Sequence, residues 1–130
     1  MRISDILSPE RVRCGISSQS KKAALETVGR MIAEADPGLT PGEVFDSLIA
    51  RERLGSTGLG SGVALPHGRR KHGDKTLAAF VRLERAIDYD AVDRRPVDLL
   101  FALLVPEKST DEHLHILALL AERFSDHTFL

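Results

Sequence analysis

The sequence predicts one domain of α/β or α+β class, and three observations carry that reading. The chain has 130 residues, the size of a single ordinary domain, since domains cluster near ~100–150 residues. Stretches with helical apolar spacing come first, strand-like stretches follow, and a helical pattern closes the chain. One segment, Val97 to Val105, is almost continuously apolar. Such a run marks a strand buried on both faces, as in a sheet covered by helices on each side.

The elements follow in order. Residues 1–10 form a lead-in that ends at Ser8-Pro9, and Val12 to Ile16 reads as a brief strand. Ser20 opens a helix whose inward stripe is Ala23, Ala24, Val28, Met31, Ile32 and Ala35. Asp36-Pro37-Gly38 stops it, because proline cannot continue a helix. Thr40-Pro41-Gly42-Glu43 starts a second helix, with Thr40 as N-cap and Glu43 closing a capping box. Val44, Leu48 and Ile49 face inward, Arg51, Glu52 and Arg53 fill the last turn, and Gly55 is the expected C-cap.

A glycine-rich run, Gly55 to Gly62, comes next. Val63-Ala64-Leu65 reads as a short strand ended by Pro66, and Thr76 to Leu83 as another. Asp88 to Arg95 is polar and turn-like, with a short strand near Ile87. Ser109-Thr110-Asp111-Glu112 is a second capping box, opening a helix with Leu114, Leu117, Ala118, Ala121 and Phe124 inward.

Composition narrows the function. Lys+Arg is 18 and Asp+Glu 19, a formal net charge of -1, which argues against a basic nucleic-acid footprint. Aromatic residues are only 5%, too few for base-stacking platforms. No apolar run approaches the ~20 residues of a membrane span, and Asp5 interrupts any signal-like core, so the cytoplasm is expected. The single cysteine, Cys14, excludes an internal disulfide and reads as a small buried apolar residue.

The informative histidine is His67, in Leu65-Pro66-His67-Gly68-Arg69. It is expected at a strand end with Gly68 allowing close approach to the backbone, and Arg69, Arg70 and Lys71 adding positive charge. A plain turn is the competing reading of Pro-His-Gly. The upstream glycine loop offers backbone N–H groups that can cradle an anion, or is simple loop punctuation. It matches neither a P-loop nor a dinucleotide fingerprint. His113 stands in the first turn of the last predicted helix, where anions are favoured; a solvated histidine is the alternative. His113 and His115 do not share a helix face, and no third ligand has zinc spacing, so no metal is expected. His72, His115 and His127 read as surface or packing residues.

The run from Arg51 to Arg69, Arg51-Glu52-Arg53-Leu54-Gly55-Ser56-Thr57-Gly58-Leu59-Gly60-Ser61-Gly62-Val63-Ala64-Leu65-Pro66-His67-Gly68-Arg69, resembles the signature of the type-2 enzyme IIA domains. These belong to the fructose–mannitol class of the bacterial phosphoenolpyruvate-dependent phosphotransferase system. Asp111-Glu112-His113-Leu114 resembles that family's second histidine. Ile3-Ser4-Asp5-Ile6-Leu7, Ile87 to Asp93 and Pro96 to Pro106 look most like its nitrogen-regulatory branch. The resemblance spans essentially the whole chain, residues 1–130, although members usually run longer and end with another helix; Thr128-Phe129-Leu130 falls in the middle of that region, so the C-terminal helix is expected to be truncated.

The resemblance implies an α/β fold with a mixed β-sheet flanked by helices on both faces. It implies that His67 accepts a phosphoryl group from a small HPr-like phosphocarrier and that His113 orients it. Arg51 would sit near the negative charge. Ser56 and Thr57 either donate to the phosphoryl oxygens or cap the loop. Transfer between phosphohistidines needs positioning and charge stabilisation, so no cofactor is expected. Leu59, Val63 and Leu65 are candidates for the carrier-docking face or for the core. Regulatory target proteins would be the further partners. A sugar-specific IIA component passing phosphate to a IIB partner is the rival reading, followed by a binding module without phosphotransfer.

Overall fold

A computed structural model describes residues 7–108 of the chain. After a 3-10 turn at Pro9–Arg11 come β1 (Val12–Ile16), α1 (Lys21–Ala33), α2 (Pro41–Glu52), β2 (Gly58–Gly60), β3 (Val63–Ala64), β4 (His67–Arg70), β5 (Leu77–Ile87) and β6 (Val97–Pro106). The helix expected after Ser109, with His113, and the lead-in Ile3 to Ile6 lie outside the described residues.

Both described helices start where their caps predict. Ser20 Oγ accepts the Ala23 N–H at 3.1 Å. At Thr40 the capping box closes in both directions: the Thr40 N–H donates to Glu43 Oε1 at 2.6 Å, and the Glu43 N–H to Thr40 Oγ1 at 3.2 Å. Such caps satisfy amides that a helix start otherwise leaves without partners.

The strands make one mixed sheet in the order β1-β5-β6-β3-β2, with β4 also on β6. β5 and β6 pair antiparallel, whereas β3 and β4 run parallel to β6. Leu100, Ala102 and Leu104 of β6 point to one face, where α1 and α2 contribute Leu25, Val28, Ile32, Val44 and Leu48. Leu99, Phe101, Leu103 and Val105 point to the other, beside Val63, Leu65, Ala78 and Phe80. The expected burial of this strand on both faces is therefore observed.

β3 and β4 lie end to end along one edge of β6. The register runs Val63↔Leu99 and Ala64↔Leu100, then resumes at His67↔Leu103 without a slip. Pro66 has no N–H to donate, but its carbonyl accepts the Leu103 N–H at 2.9 Å. His67 thus stands at a proline interruption in an otherwise continuous edge.

Several expectations change. Residues 67–70 form strand β4 rather than a turn, because pairing with β6 outweighs the local turn bias of Pro-His-Gly. The glycine run contains strand β2, antiparallel to β3. β5 extends to Ile87 and absorbs the short strand expected there. The C-cap of α2 is Arg53 rather than Gly55. Cys14 is exposed on β1, which lies at the end of the sheet path, rather than buried. Arg70 is buried on the helix side, where it ion-pairs with Asp36 and donates to the His72 carbonyl at 2.6 Å. It therefore braces a loop, with its charge paired to Asp36.

Gly68 serves the fold. A Cβ there would clash with Ser47 Oγ and sit 3.0 Å from the Ser47 backbone carbon, so the missing side chain lets α2 lie against β4. Gly68→Ala should destabilise the protein by about 1–3 kcal/mol through overpacking. Urea unfolding checks this, and an unchanged midpoint would show that α2 can shift freely.

Candidate functional site

His67 is half-buried at the first position of β4. Its Nδ1 lies 2.9 Å from the Leu65 carbonyl oxygen. A carbonyl only accepts, so Nδ1 carries the proton and Nε2 keeps the lone pair. Burial lowers the imidazole pKa below its ordinary 6.5. The Arg51 and Arg69 charges push the same way, while the Leu65 bond and the Glu52 charge push back. The result is a neutral imidazole with a defined nucleophilic nitrogen at neutral pH.

Arg51 comes from the last turn of α2, and its charge is felt at His67. One guanidinium N–H donates to the Gly55 carbonyl at 2.8 Å. A guanidinium has ~five N–H donors in a planar fork, so this bond orients the group and leaves it donors for an anion. The structure thus places Arg51 where its charge acts on His67.

Ser56 and Thr57 are turned to the loop. Ser56 Oγ donates to the Tyr89 carbonyl at 3.0 Å and accepts the Gly58 N–H at 3.1 Å. Thr57 is buried, and its hydroxyl donates to Glu52 at 2.7 Å. Both hydroxyl protons are engaged within the protein. Among the loop amides, Thr57 N–H donates to Glu52 and Ser61 N–H to Asp93 at 2.9 Å. Of the proposed docking residues, Val63 and Leu65 are core, and only Leu59 reaches the surface, at 38% exposure.

A buried polar cluster behind the loop was not anticipated. The Glu52 side chain is 2% exposed and lies 3.5 Å from Lys21 Nζ. Both its oxygens accept the Thr57 N–H at 3.0 Å. The fully buried Tyr89 places its hydroxyl 3.2 Å from Thr57 Oγ1, and Lys21 Nζ lies 4.7 Å from the centre of its ring. Burial and the Glu52 charge raise the Tyr89 pKa far above its ordinary value, so the phenol stays neutral. One signal was present in the sequence: an acid in the last turn of a helix opposes the dipole and calls for a specific partner.

A cleft of about 630 Å³ lies on the helix side, lined by Asp36, Leu39, Glu43, Arg70, Lys71 and His72 among others, and His67 is not part of it. Among the described residues no group of three His, Cys, Asp or Glu is placed to hold a metal ion. No helix there is long and apolar enough to cross a membrane.

Comparisons with known proteins, by sequence and by structure, agree with one another. Residues 5–130 match the family model described as phosphoenolpyruvate-dependent sugar phosphotransferase system, EIIA 2. The chain is 44% identical over 129 residues to the nitrogen regulatory protein of Escherichia coli (strain K12), covering 98% of this chain and 78% of that one. It is 42% identical over 121 residues to the nitrogen regulatory protein of Pseudomonas aeruginosa, covering 93% and 79%. The crystal structure of nitrogen regulatory protein IIA-Ntr from Neisseria meningitidis superposes with a TM-score of 0.87 at 42% identity, covering 97% of this chain and 86% of that one.

The lowered His67 pKa has a signed consequence. The folded state binds the proton more weakly than the unfolded chain does. The contribution of neutral His67 is therefore complete above the unfolded value of 6.5 and is lost as pH falls below it towards the folded pKa. NMR titration of the His67 ring should give a midpoint below 6.5; a midpoint above it would contradict the site as described.

Proposed function

Because the chain belongs to the EIIA 2 family of the phosphoenolpyruvate-dependent sugar phosphotransferase system, we propose that its phosphocarrier role in nitrogen regulation runs through a phosphohistidine at His67. The observation that carries this reading is the Nδ1 to Leu65 hydrogen bond, which leaves Nε2 as the nucleophile.

The donor is a phosphohistidine on an HPr-like carrier in the cytoplasm. The Nε2 lone pair of His67 attacks phosphorus as the donor's N–P bond breaks, and that bond's electron pair returns to the donor imidazole. One N–P bond replaces another, so the step demands alignment and charge stabilisation more than acid–base work. Arg51 meets the negative charge on the phosphoryl oxygens. His113, outside the described residues, is assigned to orienting the group. Ser56 and Thr57 were candidates for those oxygens; their engaged hydroxyls support a loop-holding role instead. Regulation then follows from target proteins that distinguish the phosphorylated from the free form.

Incubation with a phosphorylated HPr-like carrier, followed by intact-mass measurement, tests this. The unmodified protein should gain one acid-labile phosphoryl group and His67→Ala none. Arg51→Ala should slow uptake by about 100- to 1,000-fold, the scale for removing one preorganised oxyanion partner, and His113→Ala should slow it as well. Uptake by His67→Ala at the normal rate would refute the assignment.

A further inference from the structure

Arg51 and Glu52 are consecutive in the last turn of α2, and the fold sends them in opposite directions. Arg51 reaches the Gly55 carbonyl and the surroundings of His67. Glu52 turns inward, where a carboxylate is tolerated only if its oxygens are hydrogen-bonded and its charge is offset. Thr57, with both its amide and its hydroxyl, and Lys21 meet those needs.

From this carboxylate an unbroken set of bonds leads to the imidazole. Glu52 accepts the Thr57 N–H at 3.0 Å, the Thr57 carbonyl accepts the Leu65 N–H at 2.9 Å, and the Leu65 carbonyl accepts the His67 Nδ1–H at 2.9 Å. Thr57 and Leu65 are each held at both their N–H and their C=O. The direction of the Leu65 carbonyl, and with it the plane of the imidazole, is therefore tied to Glu52.

Charge gives the same cluster a second use. When Nε2 bonds to phosphorus and Nδ1 keeps its proton, the ring gains positive character while the incoming group brings negative oxygens. The two developments call for charges of opposite sign. Among the described residues, the charged groups acting on His67 from the elements around it are Arg51 and Glu52 of α2 and Arg69 of β4. Glu52 is the anion among them.

We propose that Glu52 is a positioning residue for phosphoryl transfer, aiming His67 through Thr57 and Leu65 and stabilising the positive ring of the phosphorylated state. This rests on the phosphocarrier reading of His67. No proton moves to Glu52 in the step: the Nδ1 proton stays on its bond to Leu65.

The test compares unmodified protein with Glu52→Gln and Glu52→Asp, each checked for folding by circular dichroism. Two readouts are taken: the rate of uptake from the phosphorylated carrier, and the His67 titration midpoint by NMR. Glu52→Gln should slow uptake by about 10- to 100-fold, the scale of a small misplacement of a reacting group. It should also move the His67 midpoint further down, because the lost anion had favoured the protonated ring. A merely structural role would lower the melting temperature and leave that midpoint in place. Folded Glu52→Gln with an unaltered rate and midpoint would overturn the proposal. If Glu52→Gln does not fold, Glu52→Asp decides, because it keeps the charge and withdraws the carboxylate from the Thr57 N–H: slowed uptake supports the relay, and an unaltered rate refutes it. If the unmodified protein takes up no phosphoryl group, the carrier reading fails, and the midpoint alone decides whether Glu52 acts on His67.

Discussion

The hydrogen bond from His67 Nδ1 to the Leu65 carbonyl is the interaction on which the account depends. An imidazole has two nitrogens of similar basicity, and only a fixed partner at one makes the other a defined nucleophile. The partner here is a backbone oxygen two residues upstream, so its position is set by the fold rather than by a mobile side chain. Strand β6 supplies that rigidity. It pairs with β3 before the Pro66 interruption and with β4 after it, in one register. The proline removes one donor from the edge and leaves the Leu65-Pro66-His67 segment held from both ends.

Behind the histidine, a buried carboxylate does what a surface one could not. Removing Glu52 from water costs on the order of several kcal/mol, and its attraction to Lys21 offsets this only with the help of the Thr57 donors. Such a cluster is a weak source of stability and a strong source of order. It fixes the loop between α2 and β2, and that loop carries the Gly55 carbonyl that orients Arg51. The two charges of the helix end are thus held relative to His67 by one set of contacts.

Much of the fold was legible because local chemistry and tertiary packing agree there. Ser20 and Thr40 cap the helices they announce, and the apolar run of β6 is buried on both faces as its composition requires. Strand β4 was missed because Pro-His-Gly carries a turn signal, and only the long-range partner Leu103 overrules it. Gly68 was recognised as a close-approach position, but the approaching group is the backbone of α2 at Ser47 rather than a ligand. At the site, His67 could be singled out from its sequence context, and Arg51 only through the family resemblance. Glu52 carried only the signal of an acid in a helix's last turn, since Thr57 and Tyr89, its partners, are brought to it by the folding of the loop and of the segment after β5. The inward turn of Ser56 and Thr57 was hidden for the same reason.

The most direct test is to locate the phosphoryl group on the histidine itself. Long-range proton–nitrogen NMR of the phosphorylated, nitrogen-15-labelled protein distinguishes the two ring nitrogens. Phosphorus is expected on Nε2 of His67, with the Nδ1 proton retained and shielded from exchange by Leu65. Phosphorus on Nδ1, or an acid-stable phosphate on a hydroxyl, would contradict it.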